Sequence, residues 1–220
     1  MTERKRVYIW EVPVRLTHWV NFFSIIALSV TGIYIGNPYL HPLSESSFTM
    51  GTMRFIHLTA AYLFLMMIII RLYWAFAGNR YANWRVFLPL KKRQRQDLGD
   101  ATRYYLFMSR KPPYAAGHTM CAGVAYFVLF LMFLFQIFSG FALWSYTRSV
   151  PFFHMVLGGW MLGFWNVSAI RFWHHMVMYF IWAIALVHVY LAVWLDSAEH
   201  NGLMGSIFGG YKFITGKEWE

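Results

Sequence analysis

Four of the nine histidines sit where the surrounding sequence makes a polar side chain costly. His174 and His188 lie in an uncharged stretch running from Phe172 to Leu195. Fourteen residues of α-helix rise about 21 Å. At 100° per residue, side chains that far apart drift by only about 40°. One membrane-length helix therefore carries two imidazoles on nearly the same face, one towards each end. His18 and His57 stand at the ends of two other apolar stretches. Neutral imidazole is a good iron ligand, and two of them fill both axial positions of a haem. Such an iron has no open position for dioxygen or substrate, so it only exchanges electrons. Two pairs, about 20 Å apart by the helix rise, make a transmembrane relay.

The remaining histidines read differently. His41 and His200 fall in expected loops, and His118 and His154 near membrane interfaces. His175 adjoins His174 but points about 100° away around a helix, so it is not the better ligand.

The composition suits this reading. The 220 residues are 59% hydrophobic and 13% charged, against about 25% charged in soluble domains. The aromatic share of 21% fits interfacial belts and flat cofactors. A net charge of +10 raises nucleic acid as a partner. The apolar composition argues for no nucleic-acid role, since the basic residues cluster in a few segments between spans. The single cysteine, Cys121, excludes an internal disulfide, a c-type haem attachment and a cysteine-ligated iron–sulfur cluster. The basic start, Met1 to Arg6, precedes a span-length apolar segment with no small-residue cleavage site. It reads as the head of a retained helix.

Four stretches reach the roughly 20 apolar residues a bilayer requires. They are 17–36, 55–77, 118–146 and 172–195. The expectation is a single membrane domain over 1–220: an all-α integral membrane protein, a four-transmembrane-helix bundle enclosing two b-type haems. Gly32, Gly123 and Gly140 suit close helix–helix or helix–cofactor approach, or are ordinary membrane-helix glycines. Val150 to Val167 competes as a fifth span, but it is short and holds Pro151, Gly158, Gly159 and Gly163. It reads as an amphipathic or re-entrant element within an outer-face loop, 147–171, suited to a partner protein. The basic loop 78–117 centres on Lys91-Lys92-Arg93-Gln94-Arg95. It is expected to meet anionic headgroups, with a short interfacial helix over Asp97 to Met108.

The Lys and Arg distribution sets the orientation. Sixteen of the nineteen fall in the N-terminal tail and start of span one, the segment between spans two and three, and the C-terminal tail. Only Arg54, Arg148 and Arg171 fall on the other side. Both termini are therefore expected in the cytoplasm. This topology sorts the histidines by depth. His57 and His174 lie near the outer face, His18 and His188 near the inner one. No histidine entered the charge count, so the sorting into two matched pairs is an independent check.

Several runs resemble a known family. Arg15-Leu16-Thr17-His18-Trp19, followed by Leu28-Ser29-Val30-Thr31-Gly32, resembles the first-span signature of the b-type cytochrome subunit of membrane-bound nickel–iron hydrogenases. Arg71-Leu72-Tyr73-Trp74-Ala75-Phe76-Ala77-Gly78-Asn79-Arg80-Tyr81 is similar to the segment closing that family's second span. Ser139-Gly140-Phe141-Ala142-Leu143 is similar to its third span, and Trp173-His174-His175 through His188-Val189-Tyr190 to its fourth. The resemblance spans roughly Val7 to Leu195. It implies bis-histidine haem b at His57/His174 and at His18/His188.

The resemblance further implies a respiratory electron-transfer subunit in the bacterial cytoplasmic (inner) membrane. The small and large hydrogenase subunits would dock at the outer face. Electrons from hydrogen would enter the outer haem, pass to the inner one and reduce a quinone. The chain has no sites for hydrogen activation, so it would not be catalytic towards hydrogen by itself. By depth the quinone belongs near the inner pair, among Arg15, Tyr114, His118, Tyr190 and Asp196, with His118 or Tyr114 as the contact. Two other readings compete. One is the cytochrome b subunit of a formate dehydrogenase or thiosulfate reductase, against which the Arg71–Tyr81 run argues. The other is a haem-free membrane anchor or transporter using the histidines to handle protons.

Overall fold

The computed structural model describes residues 4–38, 48–110, 117–147 and 152–215. His41 and Tyr114 lie outside the described residues, as does the side chain of His154. In chain order the elements are strand β1 (Arg4–Tyr8), helices α1 (Val12–Gly36) and α2 (Thr49–Ala77), a 3-10 turn at Trp84–Val86, and α3 (Lys92–Tyr105). There follow α4 (Met120–Thr147), α5 (Phe152–Leu157), a 3-10 turn at Gly159–Gly163, α6 (Val167–Glu199), α7 (Leu203–Gly209) and strand β2 (Tyr211–Thr215).

The protein is mostly helical, and α1, α2, α4 and α6 are long and apolar enough to cross a membrane. They contain 25, 29, 28 and 33 residues. At 1.5 Å per residue each exceeds the roughly 30 Å hydrocarbon core. Their large apolar side chains are widely exposed, among them Phe23, Phe55, Tyr73 and Leu186. That pattern suits lipid, where the backbone must satisfy itself within each helix and apolar side chains face a matching solvent.

The helices outrun the apolar stretches where polar residues cap them. Asn166 Oδ1 accepts from Ala169 N–H at 2.8 Å, so α6 begins ahead of its apolar run. Pro13 falls in the first turn of α1, where its missing N–H costs nothing. The stretch read as an outer-face element contains α5, of six residues, and the five-residue turn after it. Neither is long enough to form a fifth span.

The chain divides into two compact units. The first takes the N-terminal segment up to Leu16, Arg71–Leu131, and the chain from Ala183 onward. Here β1 pairs antiparallel with β2, from Arg4 opposite Thr215 to Tyr8 opposite Tyr211. The all-α expectation contained no strands. Because the two end strands pair, both ends of the chain lie on one side of any membrane that the four helices cross. Ile9, Trp10, Val14, Ala82 and Ile214 form the unit's buried core. Trp10 Nε1 donates to Ser206 Oγ at 3.0 Å, and Arg15 donates to the Phe208 carbonyl.

Within this unit the Arg71–Tyr81 run is a clamp. Glu11 Oε2 accepts from Trp74 Nε1 and from Asn79 N–H, both at 2.8 Å. Asn79 Oδ1 accepts from the Tyr81 and Ala82 N–H groups, and both terminal nitrogens of Arg71 donate to the Ala82 carbonyl. Helix α3 starts earlier than the expected Asp97, because Gln94 Oε1 accepts from Lys91 N–H at 2.9 Å and caps the first turn. It ends at Tyr105. Phe107 adopts φ 60° and Met108 N–H reaches the Arg103 carbonyl at 2.8 Å, a left-handed closure.

The second unit takes Thr17–Ile70 and Met132–Trp182. Ala142, Met161 and Ile170 form a buried core packed by Phe135, Phe138, Leu143 and Leu162. Gly158 permits the closest approach there, since a Cβ would lie 2.2 Å from the Phe138 carbonyl oxygen. Trp182 Nε1 donates to Ser29 Oγ at 2.8 Å, tying α6 to α1.

Candidate functional site

In the second unit each of two helices presents a hydroxyl and a glycine to a histidine on another helix. Thr31 of α1 is buried, and its Oγ1 lies 2.9 Å from His57 Nδ1 on α2. Ser139 of α4 is fully buried, and its Oγ lies 2.7 Å from His174 Nδ1 on α6. The next residue is glycine in both cases. A Cβ on Gly32 would stand 3.3 Å from His57 Cε1, and one on Gly140 would stand 3.4 Å from His174 Cε1. An added Cβ would be tight against the ring at Gly32 and in ordinary contact with it at Gly140, so each helix comes close to its ring edge at the glycine.

Gln136 strengthens the second seat by donating to the His174 backbone carbonyl at 3.0 Å. The His57 and His174 rings are half-buried, although the hydroxyls that hold them are covered. The neighbouring His175 is occupied elsewhere. Its Nδ1 meets the Arg171 carbonyl at 2.9 Å, and its Nε2 lies where a Cβ on Gly36 would be 2.7 Å away.

The first unit holds His188, whose Nδ1 lies 2.9 Å from the Tyr126 hydroxyl. The Tyr126 ring packs against His118, with centroids 4.6 Å apart, and His118 packs against Trp10 at 4.6 Å and Phe87 at 6.0 Å. The expected quinone contact His118 is thereby joined through Tyr126 to His188. Two other residues expected nearby have structural work: Arg15 binds the Phe208 carbonyl, and Asp196 Oδ1 accepts from Leu203 N–H at 2.6 Å.

The sequence matches the family model described as prokaryotic cytochrome b561 over residues 9–210. The chain belongs to that family. Among its relatives is a probable Ni/Fe-hydrogenase B-type cytochrome subunit of Bradyrhizobium diazoefficiens, 35% identical over 212 residues. That match covers 94% of this chain and 86% of the relative. A protein of the same description from Rhizobium leguminosarum bv. viciae is 35% identical over 224 residues, covering 98% and 92%. The probable Ni/Fe-hydrogenase 1 B-type cytochrome subunit of Escherichia coli K12 is 35% identical over 212 residues, covering 93% and 90%.

The chemistry of the seats fits a haem. An axial histidine binds iron through one ring nitrogen while the other is held by a partner that fixes tautomer and orientation. His57, His174 and His188 each have Nδ1 at a hydroxyl, the arrangement that an axial histidine binding through Nε2 would need. The buried oxygens of Asn21 and Ser24 on α1 and of Gln136 on α4 are unpaired within otherwise apolar helices of the second unit.

The structure brings His57 and His174 together in one unit, with His18 also in that unit and His188 in the other. Thr31, Ser139, Gln136 and Tyr126 had no site role in the sequence reading. Their only signal was position, for Thr31 and Ser139 directly precede glycines in the runs that carried the family resemblance.

Proposed function

We propose that this chain is the membrane-anchoring cytochrome b subunit of a nickel–iron hydrogenase, carrying electrons from hydrogen oxidation to the quinone pool. The carrying observation is the pair of hydroxyl-held histidines, His57 and His174, in a member of the cytochrome b561 family. Its likeness to probable Ni/Fe-hydrogenase B-type cytochrome subunits supports the hydrogenase partner. We assign His57 and His174 as axial ligands of one haem b near the outer face. His18 and His188 are assigned to a second near the cytoplasmic face, from their depth in the four-span topology.

Bound haem b supplies a one-electron couple. This chain's two histidine pairs would hold that group, and the hydroxyls of Thr31, Ser139 and Tyr126 would orient three of the rings. The membrane is the bacterial inner membrane with both termini cytoplasmic, a reading supported by the Lys and Arg count and by the pairing of β1 with β2. In that frame α3 lies on anionic headgroups at the cytoplasmic surface. The hydrogenase subunits dock on the opposite face, where α5 and the turn after it lie. His118 or Tyr114 contacts the quinone.

The test is haem b per chain in the purified protein, by pyridine haemochrome and reduced-minus-oxidised spectra. The expected value is two low-spin haems. His57→Ala and His174→Ala each lose the same one, and His18→Ala and His188→Ala each lose the other. A spectrum in which His18 pairs with His57 overturns the topology, and a colourless protein returns the chain to the anchor or transporter reading.

A further inference from the structure

The two seats in the second unit share a detail beyond their outline. Thr31 Oγ1 donates to the Ala27 carbonyl at 2.6 Å, and Ser139 Oγ donates to the Phe135 carbonyl at 2.6 Å. Each bond runs to the carbonyl four residues back in its own helix, a common outlet for a hydroxyl in a span. A hydroxyl has one hydrogen and two lone pairs. With that hydrogen committed to the backbone, the oxygen can meet an imidazole only as acceptor. His57 Nδ1 and His174 Nδ1 must then carry the hydrogen and donate it. A neutral imidazole has one N–H, so Nε2 is left bare on both rings, the form that binds iron.

We propose that Thr31-Gly32 and Ser139-Gly140 are a repeated histidine seat that locks both rings in the Nδ1–H form and lowers the reduction potential of the haem they hold. This rests on reading His57 and His174 as that haem's axial ligands. Thr31 and Ser139 are positioning residues that act through the histidines. A hydroxyl that donates while it accepts is polarised and becomes a better acceptor. It draws the Nδ1 hydrogen outward, leaves more electron density at Nε2 and favours the ferric state. The glycines set how near the seat comes to the ring. Tyr126 at His188 is a different case. Its hydroxyl sits at the far end of a phenol ring, out of reach of the carbonyl four residues back in its own helix, so it is not coupled to the backbone in this way.

The experiment is a spectroelectrochemical titration of the whole purified protein, wild type against Thr31→Val, Ser139→Ala and the conservative Thr31→Ser and Ser139→Thr. Thr31→Val and Ser139→Ala are expected to raise the midpoint of the same haem. At fixed potential its ferric-to-ferrous ratio falls about two- to tenfold, the scale of one hydrogen bond. The conservative variants restore it and the other haem does not move. If a hydroxyl-free variant sheds the haem, retention by its conservative partner still assigns the role to the hydroxyl. Loss in both overturns the proposal, as does a midpoint unchanged with the haem in place, or an equal shift of both haems. Failure of the underlying reading looks different: His57→Ala then leaves the wild-type haem content intact.

Discussion

At the residue scale the unit around His188 raises the sharpest question, because His118 is enclosed by rings on three sides. Trp10, Phe87 and Tyr126 all pack against it, and Tyr126 reaches His188. In the proposed role of quinone contact, His118 would deliver a proton to the reduced quinone, which is worth about a hundredfold or more when a side chain performs it. His118→Ala is therefore expected to slow hydrogen-dependent reduction of a soluble quinone analogue by at least about tenfold, with the haem spectrum unchanged. Unaltered rates in both His118→Ala and Tyr114→Phe would remove these residues from the quinone site. The four histidines proposed as ligands stood out in the sequence because an imidazole in an uncharged stretch has few structural uses. The hydroxyls beside His57, His174 and His188 did not. A serine or threonine in a membrane helix usually satisfies itself on its own backbone, and only the fold shows which of them also faces a ring.

At the element scale, apolar length alone located the four long helices, and their ends moved wherever a capping side chain extended the run. Helix α3 shows why ends are hard to read: the side chain that starts it, Gln94, lies within the basic run and looks like any surface residue. Its placement depends on ring contacts. Tyr104 stacks on Trp194 of α6 with centroids 5.6 Å apart and planes 14° from parallel, while Ala101 is wholly buried beneath. A stacked aromatic pair contributes about 0.5–1.5 kcal/mol beyond its buried area. Tyr104→Ala is expected to speed amide hydrogen exchange across 92–105 by about two- to tenfold while exchange in α4 stays slow. Unchanged exchange in α3 would mean that its contact with headgroups, not with α6, holds it.

At the scale of the whole molecule, the charge count anticipated an even number of spans, and the paired end strands agree with it. The strands themselves were invisible beforehand. Arg4–Tyr8 reads as a polar tail, and nothing local signals that its partner lies about two hundred residues away. The closure is anchored by Trp10, whose bond to the fully buried Ser206 joins the two ends of the chain. Trp10→Phe removes the indole donor while Ser206 Oγ keeps its bond to the Leu203 carbonyl, a loss of about 0.5–1.5 kcal/mol, the worth of one hydrogen bond. The expected result is cleavage of the C-terminal segment after residue 200 at lower protease or lower temperature than in the parent, with the spans intact; equal resistance would show that the strand pairing alone suffices. The closure also constrains the order of biogenesis. β1 leaves the ribosome well before β2, so it waits for its partner until the long helices between them have been made. A chain with one helix left out would hold β1 and β2 on opposite sides and could not join them. The small sheet thus closes only on chains that cross the bilayer an even number of times between its two strands.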